Sequence, residues 1–228
     1  MKSVTDGAVS SAVRDEINYD LSIQDALARD YANISALSRM LKPRIEEKLG
    51  RKINIESIIT ALKRLRGSYS AASDEIRSVI GESVVNVRTH VSKVSVEKTR
   101  KTLEVVSSLL ASHQQDFLQV SESISSITLI FDQKLHKKVR GRLTDGVILE
   151  EGNEYAAIIV QSPPQITTTP GCLISFYNAI ARRHVNIEDT VSCHTDTILV
   201  VKMSEVGKAF TALTDLITAE RKRLELAE

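Results

Sequence analysis

The chain after residue 82 repeats one pattern of apolar residues, and its two copies align without a gap. In each copy a strand-like run comes first, followed by an amphipathic helix, two more strand-like runs and a last helix. Val84 to Val91 aligns with Tyr155 to Ser162, and Ile127 to Ile130 aligns with Ile198 to Val201. Because five consecutive elements match in residue class, the pattern indicates a duplication. This restricts the fold to a pair of similar modules.

The order of elements is typical of a ferredoxin-like βαββαβ module, in which helices cover one side of a sheet. The closing strand of the first copy is predicted at Val147 to Leu149. We therefore predict an α+β fold with two such modules, a degenerate one at 83–150 and a second at 151–228.

The loop before the first helix differs between the copies. The second copy has Thr167 to Gly171, whereas the first has Val96 to Arg100, with neither proline nor glycine. Proline fixes φ and glycine tolerates positive φ, so this loop allows a ligand to approach the amides at a helix start. We predict that the second module binds a small anionic or zwitterionic ligand, although such a turn can also serve only to redirect the chain. The predicted binding residues are Thr168, Thr169, Pro170, Gly171, Cys172, Asn186 and Ile187.

These residues also carry a resemblance to a known family. The stretch TTPGCLISFYNAIARRHVNIEDTVSCHTDTILVV resembles the ACT domain of aspartate kinases, with its Pro-Gly turn, amphipathic helix and Asn-Ile strand start. The resemblance covers Glu154 to Glu220 and, more faintly, Ser83 to Leu143. It implies tandem modules that bind amino acids between paired copies, with the loop around Asn186 and Ile187 as the second wall of the pocket. The chain departs from that family upstream, where its helical residues cannot supply the nucleotide-binding catalytic domain of a kinase, so we expect no kinase activity.

Residues 8–66 are predicted to form helices only, in a head that resembles a helix-turn-helix domain. Asn33 and Asn54 are expected to cap amphipathic helices, and Pro43 is expected to end the first of them near Lys42. Residues 67–82 are predicted to connect the head to the modules, with a short helix through Ile76 and a boundary near 70–82.

The head carries a local excess of positive charge. Nine basic residues lie between Asn33 and Arg66, against three acidic ones. An excess of this size favours contacts with phosphates, because each neutralised phosphate releases a counterion. Docking on a protein and a simple solvated face are the alternatives. The predicted contacts to double-stranded DNA are Arg51, Lys52, Lys63, Arg64 and Arg66.

Composition and missing motifs exclude several other classes. A net charge of +1 argues against a general polyanion binder. The sequence has no long apolar run, so we expect neither a membrane span nor an export signal. Two cysteines make no disulfide framework, so we predict a cytoplasmic protein. Cys193, His194 and Asp196 alternate along a strand, which works against a metal site, even with Cys172 added. No nucleophile elbow or phosphate-binding loop is present, so we predict neither an enzyme nor a cofactor.

Three functions agree with these features. The first is a transcription regulator in which an amino-acid effector, through linkage, biases the arrangement of paired modules. The second is a regulatory subunit that docks on a metabolic enzyme without binding DNA. The third is an oligomerisation platform with no ligand. A homo-oligomer is expected in all three, because exposed sheet edges favour pairing of modules.

Overall fold

A computed structural model describes residues 2–28, 30–68 and 74–225. The chain divides into two compact units, Met1–Ser73 and Asp74–Glu228. Residues 69–73 of the predicted connecting segment lie outside the described residues. The rest of that segment includes helix α5 (Asp74–Gly81), which packs within the second unit.

The first unit contains helices and, in its described residues, no strand. Apolar side chains from all four helices meet in one core, in which Val13, Ile17, Leu41, Ile45, Ile58 and Leu62 are fully buried. The helices are α1 (Lys2–Asn18), α2 (Leu21–Ala28), α3 (Ile34–Leu49) and α4 (Ile55–Leu65).

The ends of α3 and α4 follow from local sequence, with one exception. Asn33 Oδ1 accepts a hydrogen bond from the Ala36 amide at 3.0 Å, and Asn54 Oδ1 accepts one from Glu56 at 3.0 Å, which confirms both predicted caps. Pro43 does not end α3, which continues to Leu49. Pro43 lies on the exposed face of α3, so its ring and its missing N–H affect backbone that water can solvate. The buried residues on the opposite face stabilise the helix by packing in the core. The prediction of a break at Lys42 is therefore wrong.

The second unit is built on a six-stranded antiparallel sheet in the order β2-β3-β1-β4-β6-β5. Helices and strands alternate as expected for a mixed α and β fold. After α5 the elements are β1 (Val84–Glu97), α6 (Arg100–Ser112), β2 (Leu118–Glu122), β3 (Ser126–Asp132), α7 (His136–Arg140), β4 (Ile148–Gln161), α8 (Cys172–Ala181), β5 (Asp189–Cys193), β6 (Asp196–Lys202) and α9 (Val206–Glu225).

The two modules share their longest strands. The second half of β1 pairs with β3 and with the first half of β4, which completes the first module. The second half of β4 pairs with β6 and with the first half of β1, which completes the second module. The closing strand predicted at Val147 to Leu149 is thus the beginning of β4, and the boundary expected at 150/151 falls inside that strand. In the residues described, no strand follows α9; β1 supplies that position.

The gap-free alignment of the two copies is wrong in its first strand. It matched Val84 with Tyr155, a shift of 71 residues. In the structure the equivalent residues are Val94 of β1, which packs in the first core, and Ile158 of β4, which packs in the second. The connection from β4 to α8, residues 162–171, is longer than the connection from β1 to α6. This difference in length accounts for most of the error in the alignment of the first strands.

The alignment is also out of register in a later strand. It matched Ile127, which faces the helices, with Ile198, which faces away from them. The strands themselves begin at Ser126 and Asp196, so the structural match differs from the sequence match by a single position. Such a slip reverses every side chain of a strand.

Each module has its own apolar core between sheet and helices. Phe131 and Leu109 are fully buried in the first, and Phe176 and Leu213 in the second. The other face of the sheet forms a third cluster whose buried members come from strands, namely Val91, Ile130, Ala157, Ile198 and Val200.

Candidate functional site

The start of α8 is shaped by the connection that enters it. A 3-10 turn, Pro164–Thr167, precedes Pro170, and Gly171 then adopts a φ of 99° as the residue before the helix. A Cβ built on Gly171 would lie 3.1 Å from Ile76 Cδ1 on α5. Both the backbone angle and this neighbour favour glycine.

At the start of α8, several backbone amides lack a protein partner among the described residues. No side chain caps the helix, and none of the amides of Gly171, Leu173 and Ile174 donates to another described residue. Gly171 and Ile174 are exposed, so solvent lies beside this helix start. The positive end of the helix dipole lies at the same place. The arrangement suits a carboxylate or another small anion.

The equivalent helix of the first module is capped by its own side chains. The Thr102 amide donates to Thr99 Oγ1 at 3.1 Å, and the Thr99 amide donates to Thr102 Oγ1 at 2.8 Å. This reciprocal cap satisfies the amides of Thr99 and Thr102, which correspond to those of Gly171 and Ile174 in α8. The two copies therefore differ at the helix start in structure as well as in sequence.

The threonines before α8 contribute less than expected. Thr167 Oγ1 donates to Pro164 O at 2.8 Å, and Thr168 Oγ1 donates to Gln165 O at 3.2 Å. Their hydroxyls retain only acceptor capacity for a ligand. Thr169 is half-buried, and its hydroxyl forms no hydrogen bond with a described residue. Cys172 is buried, and burial raises the pKa of its thiol, so it stays neutral beside the helix start.

The structure does not bring Asn186 and Ile187 to this loop within the module. Gly171 precedes α8 and Asn186 follows it, and a helix of ten residues spans about 15 Å. Asn186 Nδ2 donates to Glu188 Oε1 at 3.1 Å, and Ile187 packs against the second core. The two predicted walls therefore cannot meet in one module.

The candidate ligands of a metal do not lie along one strand as expected. Cys193 ends β5 and pairs with Asp196 at the start of β6, with His194 in the turn between them, whereas Cys172 is buried at the start of α8. Over the ranges described, no three or more His, Cys, Asp and Glu side chains are grouped so as to hold a metal ion.

The predicted nucleic-acid residues of the first unit fall into two groups. Arg66 is half-buried and forms an ion pair with Asp30. Four others, namely Arg51, Lys52, Lys63 and Arg64, are exposed and form no ion pair with any residue that the structure describes. Gly50, with a φ of 63°, joins α3 to α4, and the unpaired cations lie before α4 and at its last turn.

Two contacts near α8 were not predicted from the sequence. Ile76 of α5 covers Gly171, and Ser83 Oγ donates to Ser162 Oγ at 2.9 Å, which ties the entry of β1 to the exit of β4. Both pairs are far apart in sequence and belong to no motif. The length of the connection 162–171 can be seen in the sequence, but the contacts that it makes depend on the pairing of β1 with β4.

None of the helices in the described ranges combines the length and hydropathy that crossing a membrane requires. No protein-family model matches the sequence, and no curated protein matches it.

Solved structures of aspartate kinases are similar to part of the chain. The aspartate kinase of Synechocystis matches with a TM-score of 0.50 and 14% identity over 60% of this chain and 27% of that chain. The ligand-free regulatory subunit of aspartate kinase from Thermus thermophilus matches with a TM-score of 0.49 and 10% identity, over 58% and 95% of the two chains. That from Thermus flavus matches with a TM-score of 0.48 and 10% identity over the same shares. At such identities the likeness to the Synechocystis structure concerns the fold alone, and that fold is ACT-like.

Proposed function

We propose that this is a non-catalytic regulatory protein that binds an amino-acid effector at the start of α8. The observation that carries the proposal is the contrast between the two modules: α6 is capped by its own threonines, whereas α8 presents free amides. An effector carboxylate accepts hydrogen bonds from these amides, in the field of the helix dipole. Thr169 and the exposed edge of Gly171 lie beside that position.

The second wall of this site comes from another copy. Asn186 and Ile187 lie at the far end of α8, so only a module in the opposite orientation brings them to the start of a neighbouring α8. A symmetric pair of chains provides that orientation. The edge strands β2 and β5 offer surfaces for such pairing. The proposal therefore links effector binding to a homo-oligomer.

Calorimetric titration with each of the twenty amino acids at millimolar concentration tests the proposal. We expect heat with at least one of them, and a melting temperature that rises with its concentration. Sedimentation velocity of the same samples should show a dimer or a higher species. Heat from none of the amino acids would contradict effector binding and would leave the oligomerisation platform as the remaining role of the modules.

The exposed cations of the first unit support DNA binding as a second proposed function, with docking on a metabolic enzyme as the alternative. We expect double-stranded DNA to be retained at low salt and its affinity to fall steeply between about 50 and 200 mM salt. Replacing both Lys63 and Arg64 by alanine should weaken binding and lower the salt dependence, because two phosphate contacts are lost. Arg44→Ala is the control, since Arg44 is already 3.8 Å from the carboxylate of Glu16. Absence of retained DNA at low salt would instead favour docking on a metabolic enzyme.

A further inference from the structure

The stretch that follows β3, residues 133–144, carries a concentrated positive charge. It runs through a 3-10 turn and helix α7 and ends shortly before β4. It has no Asp or Glu, and it contains five cations, namely Lys134, Lys137, Lys138, Arg140 and Arg142. None of them belongs to the predicted effector site or to the predicted DNA contacts of the first unit.

The fold does not require this charge, because the equivalent stretch of the second module lacks it. The 3-10 turns that follow β3 and β6 are equivalent, which matches residues 133–144 with residues 203–214. Leu143 and Leu213 then occupy the same position, and both are buried in the core of their module. The second stretch contains one acidic residue and one cation, Lys208. The excess of cations in the first module is therefore not needed for packing a helix on the sheet.

Two of the five cations are used inside the first module. Lys134 Nζ lies 2.6 Å from Asp116 Oδ1, and Arg140 Nε lies 3.2 Å from Glu151 Oε2. The other three are exposed and form no ion pair within the described ranges, namely Lys137, Lys138 and Arg142.

Arg142 extends this cationic surface onto α6. Its Nη1 donates to Ser108 Oγ at 3.1 Å, so the turn after α7 lies against α6. Because Ser108 Oγ accepts this bond, its own proton and the other N–H groups of the guanidinium are left for an outside acceptor. Lys101 lies two helical turns before Ser108 on the same side of α6, and it is exposed and unpaired among the residues described.

The chemistry of this surface suits phosphate groups. Arginine, lysine and hydroxyl donors are the usual partners of phosphate oxygens. The acidic residue on the exposed side of α6, Glu104, is already 3.2 Å from Arg100. A specific protein partner favours an interface centre with few charges, whereas cations lie at the centre of this surface. A phosphodiester backbone instead offers repeated negative charge and requires no apolar contact.

We propose that the helical face of the first module binds the phosphate backbone of double-stranded DNA through Lys101, Lys137, Lys138 and Arg142. This inference rests on the proposed DNA binding by the first unit and adds a separate surface in the second unit. Because the contacts are made to phosphates, this surface binds without regard to base sequence.

Fluorescence anisotropy with a labelled duplex of random sequence tests this proposal on the full chain. The triple variant Lys137→Gln, Lys138→Gln and Arg142→Gln removes the free cations of the run. We expect its affinity at low salt to fall about tenfold or more, and the slope of log K against log salt to lose about 0.9 for each phosphate contact removed. Its melting temperature should match that of the parent, since all three side chains are exposed.

Lys208→Gln is the matched control for the triple variant. Lys208 occupies in the second module the position of Lys138 in the first, and it is exposed as well. We expect this variant to bind the duplex like the parent. An equal loss of affinity from Lys208→Gln would contradict a surface specific to the first module.

The double alanine variant of Lys63 and Arg64, measured beside the triple variant, separates the two DNA-binding surfaces. Weaker binding by the triple variant alone supports the module surface and contradicts the contacts of the first unit. Weaker binding by the double variant alone overturns the module surface and leaves DNA binding to the first unit. Weaker binding by both supports both surfaces, and a parent chain that fails to bind the duplex at low salt overturns both.

Poly-L-glutamate is the second probe, because it carries negative charge without phosphate groups. If the triple variant loses affinity for poly-L-glutamate but binds the duplex like the parent, the surface takes acidic protein segments and the DNA proposal is overturned. A loss of affinity for the duplex alone supports the DNA proposal.

Discussion

Replacing Phe176 by alanine should destabilise the second unit by about 3–5 kcal/mol, because the substitution leaves a cavity in a packed core. Phe176 projects from α8 into the core of the second module, and its side chain is 0% exposed. That core includes residues of α5, β4, β6 and α9, so every layer of the module loses contacts at once. Urea unfolding followed by far-UV circular dichroism measures the change in the free energy of unfolding.

Phe210→Ala is the matched control for this prediction. Phe210 lies on α9 in the same module, but its side chain is 37% exposed. The same substitution there should cost well under half as much, because water already reaches the ring and no closed cavity forms. Equal losses from the two variants would show that the core does not depend on the packing of Phe176.

Replacing Gly171 by valine should destabilise the second unit by about 2–4 kcal/mol and abolish effector binding at the start of α8. A β-branched residue is strained at a φ of 99°. Its Cβ also lies 3.1 Å from Ile76 Cδ1, so α5 must move or the turn must open. Thermal unfolding and calorimetry with the identified effector measure the two consequences.

Gly207→Val provides the comparison for the glycine variant. Gly207 lies in α9 with nothing within 4 Å of a built Cβ and with no positive φ. We expect a change within about 0.5 kcal/mol, since the helix propensities of glycine and valine differ by no more than about that amount. If Gly171→Val proves as stable as Gly207→Val, the turn is not strained and the helix start is not specific for glycine.

Local patterns were sufficient to predict most elements. The apolar positions of α6, with Val106 and Leu109 buried, follow from helical periodicity, and β3 follows from its run of apolar and β-branched residues. The caps at Asn33 and Asn54 follow from side chains that compete for nearby amides. Pro43 shows the limit of such rules, because burial of the opposite face of α3 overrides a local penalty.

The candidate site at α8 was only partly predictable. The Pro-Gly turn, the glycine at positive φ and the contrast with the first copy were all visible as residue types. The position of Asn186 was not, because the direction of α8 relative to the strands places it at the opposite end of the helix.

The sequence by itself determines a helical first unit and a duplicated set of strands and helices. These features depend on hydrophobic periodicity and capping, which act between residues that are close together in the chain. Tertiary structure decided how the copies combine. β1 and β4 pair along their length, so each strand contributes one half to each module. This pairing gives the backbone groups of both halves their hydrogen-bond partners. The same pairing brings Ser83 and Ser162, which are distant in sequence, into hydrogen-bond contact, while the start of α8 is left without a side-chain cap.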